Sequence, residues 1–142
     1  MKIALAQINP TVGALIDNAE KISKIIIEHS SKCDLIIFPE MSLTGYPPQD
    51  LLLDNAFIKK TSDALKKIAN YVMDAPVILG TIRKNEKSLY NTAAILEDGK
   101  VLAYRDKTHL PTYDVFDEDR YFSSSIEVRP VEFKVGGRSI KL

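Results

Sequence analysis

The chain has 142 residues, 45% of them hydrophobic and 27% charged, a globular balance sufficient for one domain with a real core. Nineteen basic residues cancel nineteen acidic ones, which leaves no net field to recruit nucleic acid or an anionic membrane. The apolar runs fall short of a bilayer span, the start MKIALAQINP lacks the features of a signal peptide, and the lone Cys33 rules out an internal disulfide framework and fits a reducing, cytoplasmic setting.

Lys2 to Ile8 alternates and then runs apolar, which predicts a first strand closed by the turn signal Asn9-Pro10. From Asp17 to His29, the residues Ala19, Ile22, Ile26 and His29 recur at helical spacing, with Ile25 beside them, as in a helix with one buried stripe. Asp34 to Phe38 reads as a second, fully buried strand. Asn55 to Met73 interleaves apolar residues with lysines and suits a helix lying on a sheet. Pro76 opens a third strand, Val77 to Ile82. Tyr90 to Leu96 and Val101 to Tyr104 flank Asp98-Gly99, a strong hairpin signal because both central residues of a type I′ turn need positive φ.

The order strand, helix, strand, helix, strand, hairpin predicts an α/β fold whose later strands join the same sheet antiparallel. Asp106 to Ser125, DKTHLPTYDVFDEDRYFSSS, fits neither strand nor helix, and long loops of this kind inside compact domains carry function or are disordered. Arg129 to Val135 reads as a strand, Gly136-Gly137 as a turn, and Ser139 to Leu142 as the start of one more strand.

The stretch DLIIFPEMSLTGY, residues 34–46, breaks an apolar strand on Pro39 and delivers Glu40 straight afterwards. Pro39 cannot donate to a ladder, so pairing stops there. An acid at such a strand end sits where open α/β sheets place ligands, although a solvated loop acid is the commoner role for a glutamate.

FPEMSLTGY at 38–46, Asp106-Lys107, and LPTYDVFDEDRYF at 110–122 together resemble the nitrilase (carbon–nitrogen hydrolase) superfamily, and within it the N-terminal glutaminase domains of glutamine-dependent NAD synthetases. KIALAQINPTVG and YNTAAILEDGKVLAYRDK match that branch as well, so the resemblance spans nearly the whole chain. It implies the N-terminal part of a nitrilase-like α-β-β-α sandwich, a mixed sheet with helices on one face. It also implies that Glu40 is the catalytic acid–base and Lys107 the catalytic lysine. Tyr46 and Tyr113 then correspond to residues of the glutamine pocket, and Glu118 to a second acid beside the nucleophile.

In such enzymes a cysteine attacks the side-chain amide of glutamine, ammonia leaves, and water cleaves the thioester. Glu40 would move the protons and Lys107 would stabilise the oxyanion. The family's cysteine lies downstream of the LPTYDVFDEDRYF segment, whereas Cys33 precedes the second strand and matches no nucleophile of the family. The expectation is therefore that residues 1–142 form an incomplete carbon–nitrogen hydrolase domain. Its remainder and an ATP-dependent synthetase domain, which would take ATP and Mg2+ to convert deamido-NAD to NAD, would lie outside these residues. The fragment itself would be inactive and, with sheet edges and an apolar face uncovered, a homo-oligomer.

Other readings stay open. The chain could belong to another nitrilase-branch amidase, or be a non-catalytic nitrilase-like interaction module. His29 reads as a half-buried packing residue, His109 has no evident partner, and the acids at 114–119 lack the ligand spacing of a metal site. Gly13 and Gly80 form no phosphate-binding glycine pattern.

Overall fold

Three short or medium strands, Ile3–Leu5 (β1), Leu35–Ile37 (β2) and Val77–Lys84 (β3), run parallel to one another. They are joined by the helices Leu15–His29 (α1) and Asn55–Ala69 (α2). Leu89–Glu97 (β4) and Lys100–Asp106 (β5) then add antiparallel strands, so the five-stranded sheet keeps the chain order β1-β2-β3-β4-β5. The computed structural model describes residues 1–125, 130, 132–135 and 137–141. The expected mixed α/β sheet is present, and Asp98 and Gly99 both take positive φ, 49° and 73°, as the hairpin signal requires.

Alternation along the strands separates two cores. Ile36, Phe38, Val77, Leu79, Ala94 and Leu96 pack with Ile22 and Ile26 of α1 and Phe57, Ile58, Leu65 and Ile68 of α2. Each isoleucine removed from water there contributes about 1.5–3 kcal/mol. On the opposite face Leu35 and Ile95 meet Phe133 and Val135. The latter two come from a separate antiparallel pair, Glu132–Val135 (β6) and Arg138–Lys141 (β7). Arg129 and Val131, which the sequence assigns to a strand, Gly136, assigned to a turn, and Leu142, assigned to a further strand, lie outside the described residues. β1 is an edge strand, and its Ile3 and Leu5 side chains are exposed.

Several boundaries differ from expectation, each for a physical reason. β1 stops at Leu5 because its partner β2 ends before Pro39; the last bond across the pair runs from Ala6 N–H to Ile37 O at 2.9 Å. α2 begins where the Asp54 carboxylate caps the Ala56 N–H at 2.7 Å. It ends at Ala69 rather than Met73 because the chain tightens to bury Val72, whose carbonyl accepts from Gly99 N–H of the hairpin turn at 2.8 Å. The stripe of α1 is Leu15, Asn18, Ile22 and Ile26. His29 is exposed rather than half-buried, since the chain turns into the 3₁₀ segment Ser30–Lys32 immediately after it.

Asn18 is the polar member of that stripe. Its Oδ1 accepts from Thr11 N–H at 2.9 Å, and its Nδ2 donates to Thr11 O at 2.8 Å and to Leu43 O at 3.1 Å. This amide, with both its protons donated, ties the loop after β1 to the loop after β2. The two backbones touch closely: a Cβ on Gly45 would lie 2.5 Å from the Val12 Cα.

Candidate active site

Glu40 stands at the exit of β2. Phe38 N–H makes the last ladder bond, to Ile78 O at 2.9 Å, and Pro39 ends the pairing. Met41 then takes a φ of 49°, uncommon for a side chain of its size, and buries itself fully, turning the chain back over the sheet. Local bonds close the turn: Ser42 Oγ donates to Pro39 O, and Gly45 N–H donates to Met41 O at 2.8 Å. The acid therefore projects from a stiff turn rather than a loose loop.

That turn rests directly on β3. A Cβ on Gly80 would fall 2.2 Å from Pro39 O and 2.6 Å from the Glu40 Cα. Exchange of a strand glycine for alanine ordinarily stabilises; here it must push the Glu40 turn off the sheet. Gly80→Ala is expected to lose about 1–3 kcal/mol of stability. Urea denaturation checks this, and a variant as stable as the parent contradicts the contact.

Lys107 follows the last residue of β5. Its N–H donates to Asn91 O at 2.8 Å, which continues the ladder one step beyond the strand. Its Nζ lies 3.0 Å from Glu40 Oε1 and 3.0 Å from Glu118 Oε1, with Glu118 Oε2 also at 3.0 Å. The acid and the amine, 67 residues apart in the chain, thus meet in one ion cluster at the sheet's rim.

The two carboxylates differ in burial. The Glu118 side chain is 6% exposed and that of Glu40 is 48% exposed, with Lys107 between them at 31%. Glu118 belongs to the 3₁₀ turn Glu118–Arg120, anchored by its N–H on Pro111 O at 3.2 Å. Of the acids at 114–119 it alone is buried; Asp114, Asp117 and Asp119 are exposed. Glu118 is thus a buried counter-ion to Lys107, and Glu40 is the carboxylate open to solvent. Desolvation opposes the charge on Lys107, but its hydrogen bonds to Glu40 and Glu118 and their negative charges outweigh it, so its pKa stands above the usual lysine range. The group is an ammonium at neutral pH, suited to a developing oxyanion.

Tyr46 borders the cluster. Partial burial, then the Glu118 and Glu40 carboxylates, hold its phenol above the ordinary tyrosine pKa against the opposing effect of Lys107. It also lines a cleft of about 550 Å3 between residues 46–52 and 115–122. Across that cleft Tyr121 Oη donates to Asp50 Oδ1 at 2.7 Å. Tyr113 is not brought into the cluster. It is 68% exposed and meets the edge of Phe116, with ring centroids 5.6 Å apart. Cys33 lies at the opposite end of β2 from Glu40, its thiol donating to His29 O at 3.3 Å.

On the side of the sheet facing Glu40 is a shallow depression of about 300 Å3, floored by Gly80 and Ala93, which are paired across β3 and β4. Asn91 stands at its edge, buried, with Nδ2 donating to Glu40 Oε1 at 2.5 Å. Sequence reasoning passed over this residue. Nothing local marks it: it is the third residue of β4 and lies opposite Lys107, one step beyond the end of the paired β5.

Three comparisons bear on this arrangement. The profile of the carbon–nitrogen hydrolase family matches residues 2–141. The chain is 43% identical over 132 residues to a glutamine-dependent NAD(+) synthetase of Synechocystis sp., covering 87% of this chain and 24% of that protein. It is 42% identical over 141 residues to the enzyme of the same name from Aquifex aeolicus, covering 99% of this chain and 24% of that protein. The chain thus spans about a quarter of the length of these relatives. A solved glutamine-dependent NAD+ synthetase from Acinetobacter baumannii, in complex with ADP, superposes with a TM-score of 0.87 at 35% identity, covering 99% of this chain and 26% of that one. An amidase from Nesterenkonia sp. shares the fold, with a TM-score of 0.77 at 22% identity, covering 99% of this chain and 54% of that one.

Proposed function

The chain belongs to the carbon–nitrogen hydrolase family, and from that premise we propose that its acid–amine cluster is the proton-transfer and oxyanion part of a glutamine amidase site. The carrying observation is the Lys107 ammonium held at 3.0 Å from both an accessible Glu40 and a buried Glu118. Glu40 takes the proton of an attacking thiol, returns it to departing ammonia, and later activates water on the thioester. Lys107 stabilises the tetrahedral oxyanion, and Glu118 keeps Lys107 charged and aimed. Tyr46, at the cluster's border, contributes to binding the substrate; Tyr113 joins the site only by moving from its exposed position.

Glutamine is the substrate on this reading because the relatives at 42–43% identity are glutamine-dependent NAD(+) synthetases. The nucleophilic cysteine is supplied by polypeptide beyond these 142 residues. The ammonia passes to a synthetase domain, also outside them, where ATP and Mg2+ serve the amidation of deamido-NAD. A cytoplasmic setting suits the free Cys33 thiol. A homo-oligomeric assembly is supported by the exposed Ile3 and Leu5 of the edge strand.

Ammonia release from glutamine tests the proposal. The 142-residue chain is expected to show no turnover beyond a Glu40→Ala control, and a chain extended through the downstream cysteine is expected to show it. Turnover by the shorter chain above that control overturns the assignment of the nucleophile. An extended chain that hydrolyses short aliphatic amides but not glutamine belongs instead to another amidase branch.

A further inference from the structure

We propose that Asn91 is a positioning residue that holds the acid and the amine of this site in one fixed relation. The inference rests on the amidase reading above and extends it to a residue of β4. Asn91 is 4% exposed and works through both of its halves. Its side-chain Nδ2 donates to Glu40 Oε1, and its main-chain carbonyl accepts from Lys107 N–H at 2.8 Å. One residue therefore contacts both the segment after β2 and the segment after β5.

The need for such a brace follows from the exposure of Glu40. A glutamate side chain 48% exposed ordinarily samples several rotamers, and a proton-transfer group must stay within about 0.5 Å of its productive position. Two donors converge on Glu40 Oε1, the Asn91 amide and, at 3.0 Å, the Lys107 ammonium. The carboxylate cannot rotate without giving up one of them. The amide adds a donor without adding a charge, so it leaves the ion pair with Lys107 undivided. Asn91 is itself anchored in the sheet: it sits in the β3–β4 ladder opposite Ile82, and the next residue, Thr92, pairs with Asp106 of β5. The main-chain half of the brace is independent of the side chain, so substitution isolates the contact to Glu40.

Two measurements test this and separate it from the amidase reading. In the 142-residue chain, nitrogen–proton correlation spectra report the Asn91 side-chain amide. Glu40→Gln is expected to shift both Asn91 amide protons while those of Asn70, beyond the far end of α2, stay in place; unmoved Asn91 resonances overturn the inference. In the chain extended through the nucleophile, Asn91→Leu and the smaller Asn91→Ala are expected to lower kcat by about 10- to 100-fold, the scale of a misplacement near 1 Å. KM should stay within about twofold and the melting temperature should hold. If Asn91→Leu fails to fold, Asn91→Ala, which removes the donor without adding bulk or charge, decides. An unchanged kcat, or a rise in KM alone, overturns the positioning role. If the unsubstituted extended chain hydrolyses no amide, the amidase reading is what fails, and the spectra decide whether Asn91 holds Glu40.

Discussion

A Glu40→Gln variant of the nucleophile-bearing chain is expected to lose amide turnover by about 10²- to 10⁴-fold, the usual contribution of a positioned general base. The substitution keeps the shape and can still accept a hydrogen bond from Lys107, which also retains Glu118 at 3.0 Å. It removes the capacity to take and return a proton and, with it, one of the two negative charges facing Lys107, from a side chain 48% exposed where an ion pair contributes little. Melting temperature should therefore change little while kcat collapses. Steady-state ammonia release beside a thermal melt reads both. A variant that keeps more than about a tenth of the parent's rate, against the loss general-base catalysis predicts, ends the assignment of Glu40 as the base.

The second large effect is at Lys107. Lys107→Met is expected to lower turnover by about 10²- to 10³-fold, as for loss of an oxyanion donor. Unlike the exchange at Glu40, it should also destabilise the fold, because Glu118 is left as a buried carboxylate without its cation. A loss of about 1–3 kcal/mol is expected; removing one partner of a fully buried pair costs more, and the 31% exposure of Lys107 brings the figure down. Adding Glu118→Leu should recover much of the stability and none of the activity. Urea denaturation of the single and double variants measures this. A double variant no more stable than Lys107→Met shows that Glu118 is not the orphaned charge.

The pH dependence follows from the direction of the Lys107 shift. Its folded-state pKa lies above the ordinary value of 10.5, so the cluster's stabilisation is fully present below that value. It is lost as pH rises through the raised folded value. A chain without the cluster, Lys107→Met with Glu118→Leu, should lack this alkaline component.

Much of the frame was legible in local pattern. Asp98-Gly99 announced the hairpin because only a few residue types accept positive φ at both central positions. Pro39 marked the end of β2 because it carries no N–H for the ladder, and the two crossover helices showed their apolar stripes. The reach of α2 was misjudged because Val72 is claimed by the hairpin turn, a contact between distant segments. The exposure of His29 likewise depends on where the chain turns next.

The site divides along the same line. Residue type and order marked Glu40 and Lys107 as candidates, since an acid at a strand's exit and a lysine after a hairpin are local facts joined by a recognisable resemblance. Burial could not be read that way. Glu118 and its neighbours Asp117 and Asp119 look alike in the chain, yet only Glu118 faces inward against Lys107.

Asn91 and Gly80 gave no signal, because the importance of each lies in what passes within a few ångströms of it. By itself, then, the sequence determined the strands, the turns and the chemical types available at the rim. Tertiary structure alone decided which carboxylate is desolvated, which lies open at the rim, and which neutral amide reaches the open one. Periodicity and turn chemistry act over a few residues, whereas desolvation and hydrogen-bond geometry are set by segments that meet only in the fold.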